Sequence, residues 1–143
     1  MASGESQPGG LPHGKVTSDV APQFEPAFYQ LDQVPAVPLA EGVAARFVTG
    51  GRIMFSFVHL DAGGEVPLHD HPHEQVGYVL DGSIVMTIGG EERHLHPGDA
   101  YTIPGGVAHR GVGGPEGCLV LDAFAPPRED YLARAREFVG RGV

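Results

Sequence analysis

His69 and His71 stand two residues apart in a segment, Val66 to His71, that reads as a β-strand. On a strand both side chains leave the same face, about 7 Å apart along the chain. Two imidazoles on one face inside a narrow barrel can converge on a single ion. The chain then turns through Pro72 to Glu74 and returns as a strand beginning at Gln75, which can offer a third ligand from the neighbouring strand. Much later, His109 follows the tight turn Pro104-Gly105-Gly106 and can supply a fourth from across the barrel. A lone histidine is more often a surface or satisfied core residue. Two on one strand face, joined by polar groups at fixed offsets, point to a metal site. His73, in the turn beside that site, is a candidate general base, since imidazole is the side chain suited to shuttling protons at neutral pH. Glu74 is a second candidate base.

These side chains need strands to hold them. After the prolines Pro26, Pro35 and Pro38, which confine Phe24 to Leu39 to edge strands or extended arms, strand patterns follow closely. They run over Val43 to Val48, Ile53 to Leu60, Val66 to His71, Gln75 to Leu80 and Ser83 to Ile88. Gly89-Gly90 supplies a two-residue hairpin turn into Glu91 to His96. Further strands are expected at Ala100 to Ile103, Val107 to Val112 and Cys118 to Phe124. Strands at this spacing with no helix between them predict an all-β antiparallel barrel or two-sheet sandwich. After Pro126-Pro127, the residues Tyr131, Leu132, Ala135, Phe138 and Val139 recur at helical spacing and predict a short C-terminal helix. Residues 1 to about 20 show no apolar period and read as a disordered tail, with His13 in it, leaving residues 21–143 as one domain.

Composition narrows the function classes. The net charge is -9, from 18 acidic against 9 basic side chains, which argues against a phosphate-tracking nucleic-acid partner. The single cysteine, Cys118, reads as a small buried hydrophobe and excludes an internal disulfide. No secretory signal or bilayer-length apolar stretch is visible, so a cytoplasmic, membrane-free protein is expected. Gly (22) and Pro (13) together make up about a quarter of the chain, the punctuation of many short strands. Met86, Tyr101, Tyr78 and Phe57 are candidate cavity-lining residues, with His59 either in the cavity or on the surface. Arg110, beside His109, is the main basic group available to bind an acid. His94 and His96 flank a hairpin and are expected to be exposed.

At the histidines the chain resembles the cupin superfamily. One motif runs Gly63, five residues, His69-x-His71, three residues, Gln75, six residues, Gly82. The other runs Gly98, five residues, Pro104-x-Gly106, two residues, His109, and 15 residues separate the two motifs (63–82 and 98–109). The resemblance implies a single-domain jelly-roll barrel of two antiparallel sheets. It also implies one divalent metal on His69, His71, Gln75 and His109, zinc first with nickel, manganese or iron as alternatives, and a homodimer. The family's usual glutamate is Gln75 here, and an asparagine often found after the last histidine is Gly113. Three imidazoles and an amide are all neutral, so the ion would keep its full charge, which favours Lewis-acid chemistry over oxygen activation.

Within the superfamily, His69 to Gly82 and Leu121 to Leu132 resemble both actinomycete cupin-type polyketide cyclases and the uronate-linearising cupins of pectin degradation. The candidate lining is apolar, with few basic groups for a uronate carboxylate. That balance predicts a cyclase closing an aromatic ring in a poly-β-keto chain, with its small-molecule substrate, free or carrier-bound, folded by the barrel. The alternatives are the uronate reaction, which would depend on Arg110, a metal dioxygenase, and a small-molecule-binding module without turnover.

Overall fold

The structure is a computed structural model that describes residues 25–141; the tail expected over residues 1–20, with His13, lies outside the described residues. A single 3-10 turn at Leu31–Gln33 leads into eight strands. These are β1 (Val37–Ala40), β2 (Val43–Thr49), β3 (Met54–Leu60), β4 (Glu65–His69), β5 (Glu74–Ile88), β6 (Glu91–Leu95), β7 (Ala100–Ile103) and β8 (His109–Ala125). One helix follows, α1 (Glu129–Arg141). The all-β expectation and the terminal helix both hold. Pro38 lies in β1, which ends the strand order and so leaves a backbone without an N–H on a sheet edge.

Two expected strand pairs are in fact single long strands. Gln75–Leu80 and Ser83–Ile88 are both part of β5, and Val107–Val112 and Cys118–Phe124 merge into β8 apart from Val107 and Ala108. The turn signals between them act as bends within continuous ladders. The β5–β8 register shifts between Val79 and Asp81 and again between Gly82 and Ile84, so Asp81 belongs to a bulged strand rather than a turn. Gly82 has φ +73, and a Cβ there would collide with the Gly117 carbonyl across the ladder. The bend therefore requires glycine.

Bending both long strands makes two layers from one hydrogen-bonded sheet. The last part of β8 pairs with β3 on one side and with the first half of β5 on the other; β2, β1 and β7 extend that layer. The first part of β8 pairs with β4 and with the second half of β5, which carries β6. Between the layers, Val43, Val58, Leu60, Val79, Ile84 and Val120 form the apolar core, with Cys118 among them as expected. Leu60 is 1% exposed, and truncating such a residue to alanine costs about 2–5 kcal/mol.

The helix closes one end. Tyr131 stacks on Phe47 of β2 with ring centroids 5.2 Å apart and meets Phe124 of β8 edge-on at 6.0 Å. Glu129 and Asp130 sit in the first turn, where carboxylates complement the helix dipole. None of the described helices is long and apolar enough to cross a membrane.

Candidate metal centre and cavity

The histidines converge by a different route from the one their spacing suggests. β4 ends at His69, so His71 lies beyond the strand in the turn and not on its face. His109 begins β8 directly opposite His69 in the ladder. Ring centroids are 4.3 Å apart for His69–His109 and 4.9 Å for His71–His109, and the ligand atoms of all three lie within 4.8 Å of one another.

The hydrogen bonds around these rings fit a cation. His69 Nδ1 lies 2.8 Å from the Pro67 carbonyl and His109 Nδ1 lies 2.8 Å from the Val107 carbonyl. A carbonyl only accepts, so both rings donate from Nδ1 and turn an unprotonated Nε2 inward. His109 Nε2 is buried with no partner among the described residues. His71 Nδ1 likewise donates to the His73 carbonyl at 3.1 Å, which leaves its Nε2 facing Gln75 Oε1 at 3.1 Å. Gln75 donates its amide hydrogen to Asp122, so its oxygen is the group turned to His71. Two acceptors pointed at one place are satisfied by a shared cation. Burial pushes the His71 pKa down to about 4, helped by the Arg128 charge, and burial also lowers that of His109. Both rings are therefore neutral ligands at neutral pH.

Below the ring, a polar row crosses the inner face of the first layer. Ser56 on β3, Asp122 on β8 and Gly77 on β5 are direct ladder partners, and Gly77 pairs in turn with Tyr101 on β7. The Tyr101 ring lies over Gly77, where any Cβ would strike it. Its hydroxyl donates to Asp122 Oδ1 at 2.7 Å. Burial raises the Asp122 pKa to about 6 against the lowering effect of the Tyr101 and Gln75 hydrogen bonds. Ser56 is 0% exposed, and its Oγ has no partner among the described residues.

Arg128, between Pro127 and α1, supplies the cationic wall. It is 6% exposed, and its guanidinium lies 3.8 Å from the Tyr131 ring centroid and 5.1 Å from that of Phe124. Nε and Nη2 donate to Asp130 at 3.1 and 2.9 Å, while Nη1 is buried without a partner among the described residues. His69, Gln75, His109, Asp122 and Arg128 thus share one narrow cavity of about 50 Å³, floored by apolar core residues.

Several expected cavity residues lie elsewhere. Met86 and Tyr101 line the cavity. Tyr78 is 44% exposed on the opposite face of β5 from Gln75, because positions three apart on a strand cannot share a face. Phe57 and His59 face outward from β3, where Met54, Ser56 and Val58 alternate inward. Arg110 is next to inward His109 and so points out, where it pairs with Glu65 at 2.6 Å. Glu74 is exposed for the same reason of parity beside Gln75. His73 is half-buried 5.4 Å from the His71 ring but does not line the cavity; its backbone carbonyl orients His71. His94 and His96 are exposed as expected. Asp122, Ser56 and Arg128 are the residues the motifs missed. Two of them carried a signal, since a serine and an aspartate interrupt otherwise apolar every-second-residue rows at Met54–Leu60 and Cys118–Phe124.

The chain is similar to known proteins in sequence and fold. Residues 56–124 match the family model described as a cupin domain. The chain is 35% identical over 103 residues, 71% of its length, to a pectin degradation protein, KdgF, of Dickeya dadantii, and covers 94% of that protein. The solved structure of KdgF from a Halomonas species superposes with a TM-score of 0.71 at 30% identity, covering 75% of this chain and 99% of that one. An RmlC-like cupin from Shewanella frigidimarina gives 0.70 at 29% identity, over 75% and 96%.

Proposed function

This chain belongs to the cupin family, and from that premise we propose that it is a metal-dependent enzyme that opens or isomerises the ring of an unsaturated uronate. The observation that carries this reading is the buried Arg128 guanidinium with Nη1 unpartnered in the cavity wall. A planar guanidinium in a site shielded from water matches the carboxylate of a sugar acid. The preference for a polyketide rested on a lining poor in cations, and Arg128 removes that ground. The similarity to a pectin degradation protein points the same way, because pectin is built of galacturonate.

A divalent ion on His69, His71, His109 and Gln75, with zinc the expectation, would supply Lewis-acid polarisation of a substrate oxygen. The four donors are neutral, so none of them offsets the ion's charge. Arg128 holds the carboxylate and fixes the sugar's orientation. Ring opening and tautomerisation move a proton between oxygen and carbon with no net oxidation. Asp122, with a pKa near 6, exchanges protons readily at neutral pH and lies beside Gln75. Tyr101 holds its carboxyl in place.

The test is incubation of metal-replete protein with 4,5-unsaturated galacturonate, following loss of the conjugated double bond's ultraviolet absorbance. Turnover that disappears with a chelator and returns on adding one equivalent of metal is the expected result. Tight binding without turnover would make the chain a binding module instead, and absence of both would remove the uronate reading.

A further inference from the structure

A glutamine ligand has an orientation problem that a histidine does not. Its side chain ends in an oxygen and an NH2 of similar size, and only the oxygen can hold a cation. Left to itself, the Gln75 amide would face the wrong way. His71 Nε2 is an unprotonated acceptor, and an NH2 turned toward it would donate a hydrogen bond and close the site. Instead the Gln75 oxygen faces it at 3.1 Å. We propose that Tyr101 and Asp122, seated across Gly77, are positioning residues that keep the Gln75 oxygen turned to the metal position and so set the affinity for metal.

Three adjoining strands build this device. Tyr101 on β7, Gly77 on β5 and Asp122 on β8 are ladder partners in one inward row, with Gly77 in the middle. Two strands with a third between them stand about 9.6 Å apart, so Tyr101 meets Asp122 only by crossing β5. Gly77 has no positive φ, so its backbone does not call for a glycine. A Cβ there would strike Cζ, Cε1 and the hydroxyl oxygen of Tyr101. The missing side chain is the space in which the phenol reaches Asp122 Oδ1 at 2.7 Å. Gln75 lies two residues before Gly77 on the same face of β5 and gives its amide hydrogen to Asp122.

The direction of each hydrogen bond follows from the far end of the row. Burial and the Asp122 charge push the Tyr101 pKa well up, so its hydroxyl keeps a proton to donate. An ionised carboxylate carries no hydrogen and accepts from both neighbours. Gln75 must then offer Asp122 its NH2, which turns its oxygen to the imidazoles. Tyr101, Asp122 and Gln75 are all buried, which keeps water from substituting for any of the three. An amide in place of the carboxylate would reverse the last bond. Tyr101 would claim the new amide's oxygen, the new NH2 would face Gln75, and Gln75 would turn over to accept it. Removing the Tyr101 hydroxyl as well would free the new amide to present its oxygen to Gln75 again.

Zinc alone is the probe, since the proposal rests on the metal reading of the site. Competition with a chromophoric chelator in mildly alkaline buffer should show one tight zinc site on the full wild-type chain. Asp122→Asn should weaken it on the order of 10–100-fold. Tyr101→Phe, which leaves an accepting carboxylate, should weaken it only severalfold. The double variant Tyr101→Phe/Asp122→Asn should bind zinc about tenfold tighter than Asp122→Asn, although it has lost one more hydrogen-bonding group. A carboxylate acting only through its charge, or a tyrosine that only packs, gives no such rescue. A double variant as weak as Asp122→Asn therefore overturns the proposal alone, whereas a wild-type chain without a zinc site overturns the metal reading with it. Should a variant misfold, nuclear magnetic resonance of the wild type decides. Zinc should shift the Gln75 side-chain carbonyl carbon while its NH2 hydrogens stay slow to exchange with water. NH2 hydrogens that exchange as fast as those of exposed Gln33 overturn the proposal.

Discussion

The two layers of this barrel distribute polarity differently. The β4-β8-β5-β6 layer is conventional away from its rim: Ile84, Met86 and Val66 face in, while Glu65, Arg110, Thr87, Glu92 and His94 face out. Glu65 and Arg110 form an ion pair in which both side chains are over two-fifths exposed, an interaction that water and salt screen. The β2-β3-β8-β5-β7 layer departs from that rule in part, because a polar row interrupts the apolar inner face that Val58, Leu60, Val79 and Val120 otherwise make. Its inner face carries Ser56, Asp122 and Gln75 in a buried row, and its outer face carries phenylalanines, a tyrosine and leucines. Burying a polar group without full partners costs about 1–3 kcal/mol, and exposing aromatics forfeits a comparable burial gain.

The largest expected effects come from the imidazoles, where the two layers meet. His71→Ala or His109→Ala should abolish stoichiometric metal binding, measured by elemental analysis, and reduce turnover on the order of 10³-fold or to background. Retention of metal by either variant would break the assignment of those rings as ligands.

The next test sets the layers against each other through their arginines. Arg128→Met should lower kcat/KM by about 10²–10³-fold, because a charge-assisted pair in a shielded site is lost. Arg128→Lys should recover only part of this, since an ammonium cannot reproduce the two-pronged geometry. Arg110→Met, on the outer face of the conventional layer, should change kcat/KM by less than about twofold. Equal losses at the two positions would erase the distinction between inside and outside.

A smaller effect should appear in the pH dependence of stability, read as unfolding free energy of metal-free protein. His71 falls from 6.5 unfolded to about 4 folded, so between those values the unfolded chain holds the extra proton and stability is lost as pH falls. His109 is lowered too and acts in the same direction. Asp122 rises from 3.8 to about 6, so there the folded chain holds the extra proton and stability is lost as pH rises. From about pH 4 to 6 the aspartate offsets part of the histidine slope. Asp122→Asn removes that offset, and the slope should steepen by up to about 1.4 kcal/mol per pH unit. An unchanged slope would mean that Asp122 is not protonated in the fold near pH 5.

Much of this was legible in the sequence because the signals were local. The offsets among His69, His71, Gln75 and His109 survive folding even though β4 stops at His69, since each ring is oriented by a backbone carbonyl two residues away. The helix and the Gly89-Gly90 hairpin were equally readable. Strand parity was not carried through: Gln75 inward already requires Tyr78 and Glu74 outward, and His109 inward requires Arg110 outward. Arg128 escaped because it follows two prolines at a helix start, where an arginine ordinarily faces water. Its burial depends on Tyr131 and Phe124, which come together only when α1 closes the barrel end. The merging of four expected strands into two was hidden for a similar reason, because Asp81-Gly82 and Gly113-Gly114 have turn composition and the ladder alone makes them bends.

The smallest expected effect sharpens the comparison most within the layer that carries the buried polar row, because it separates a ligand-facing row from scaffolding. Asp122 is satisfied by Tyr101 and Gln75, whereas the Ser56 hydroxyl on the adjoining strand is buried and unpartnered among the described residues. If that hydroxyl serves only bound substrate, Ser56→Ala should leave the urea-unfolding free energy unchanged or raise it by up to about 1 kcal/mol, since an unpaired polar atom is removed. The same change should raise KM severalfold with kcat nearly constant, the mark of a contact made equally in ground and transition states. A loss of stability beyond about 1 kcal/mol with KM unmoved would mean that Ser56 is bonded within the fold. The polarity of the inner face would then be a structural feature of β3 at that point, and substrate recognition would fall to Arg128, Asp122 and the metal ligands.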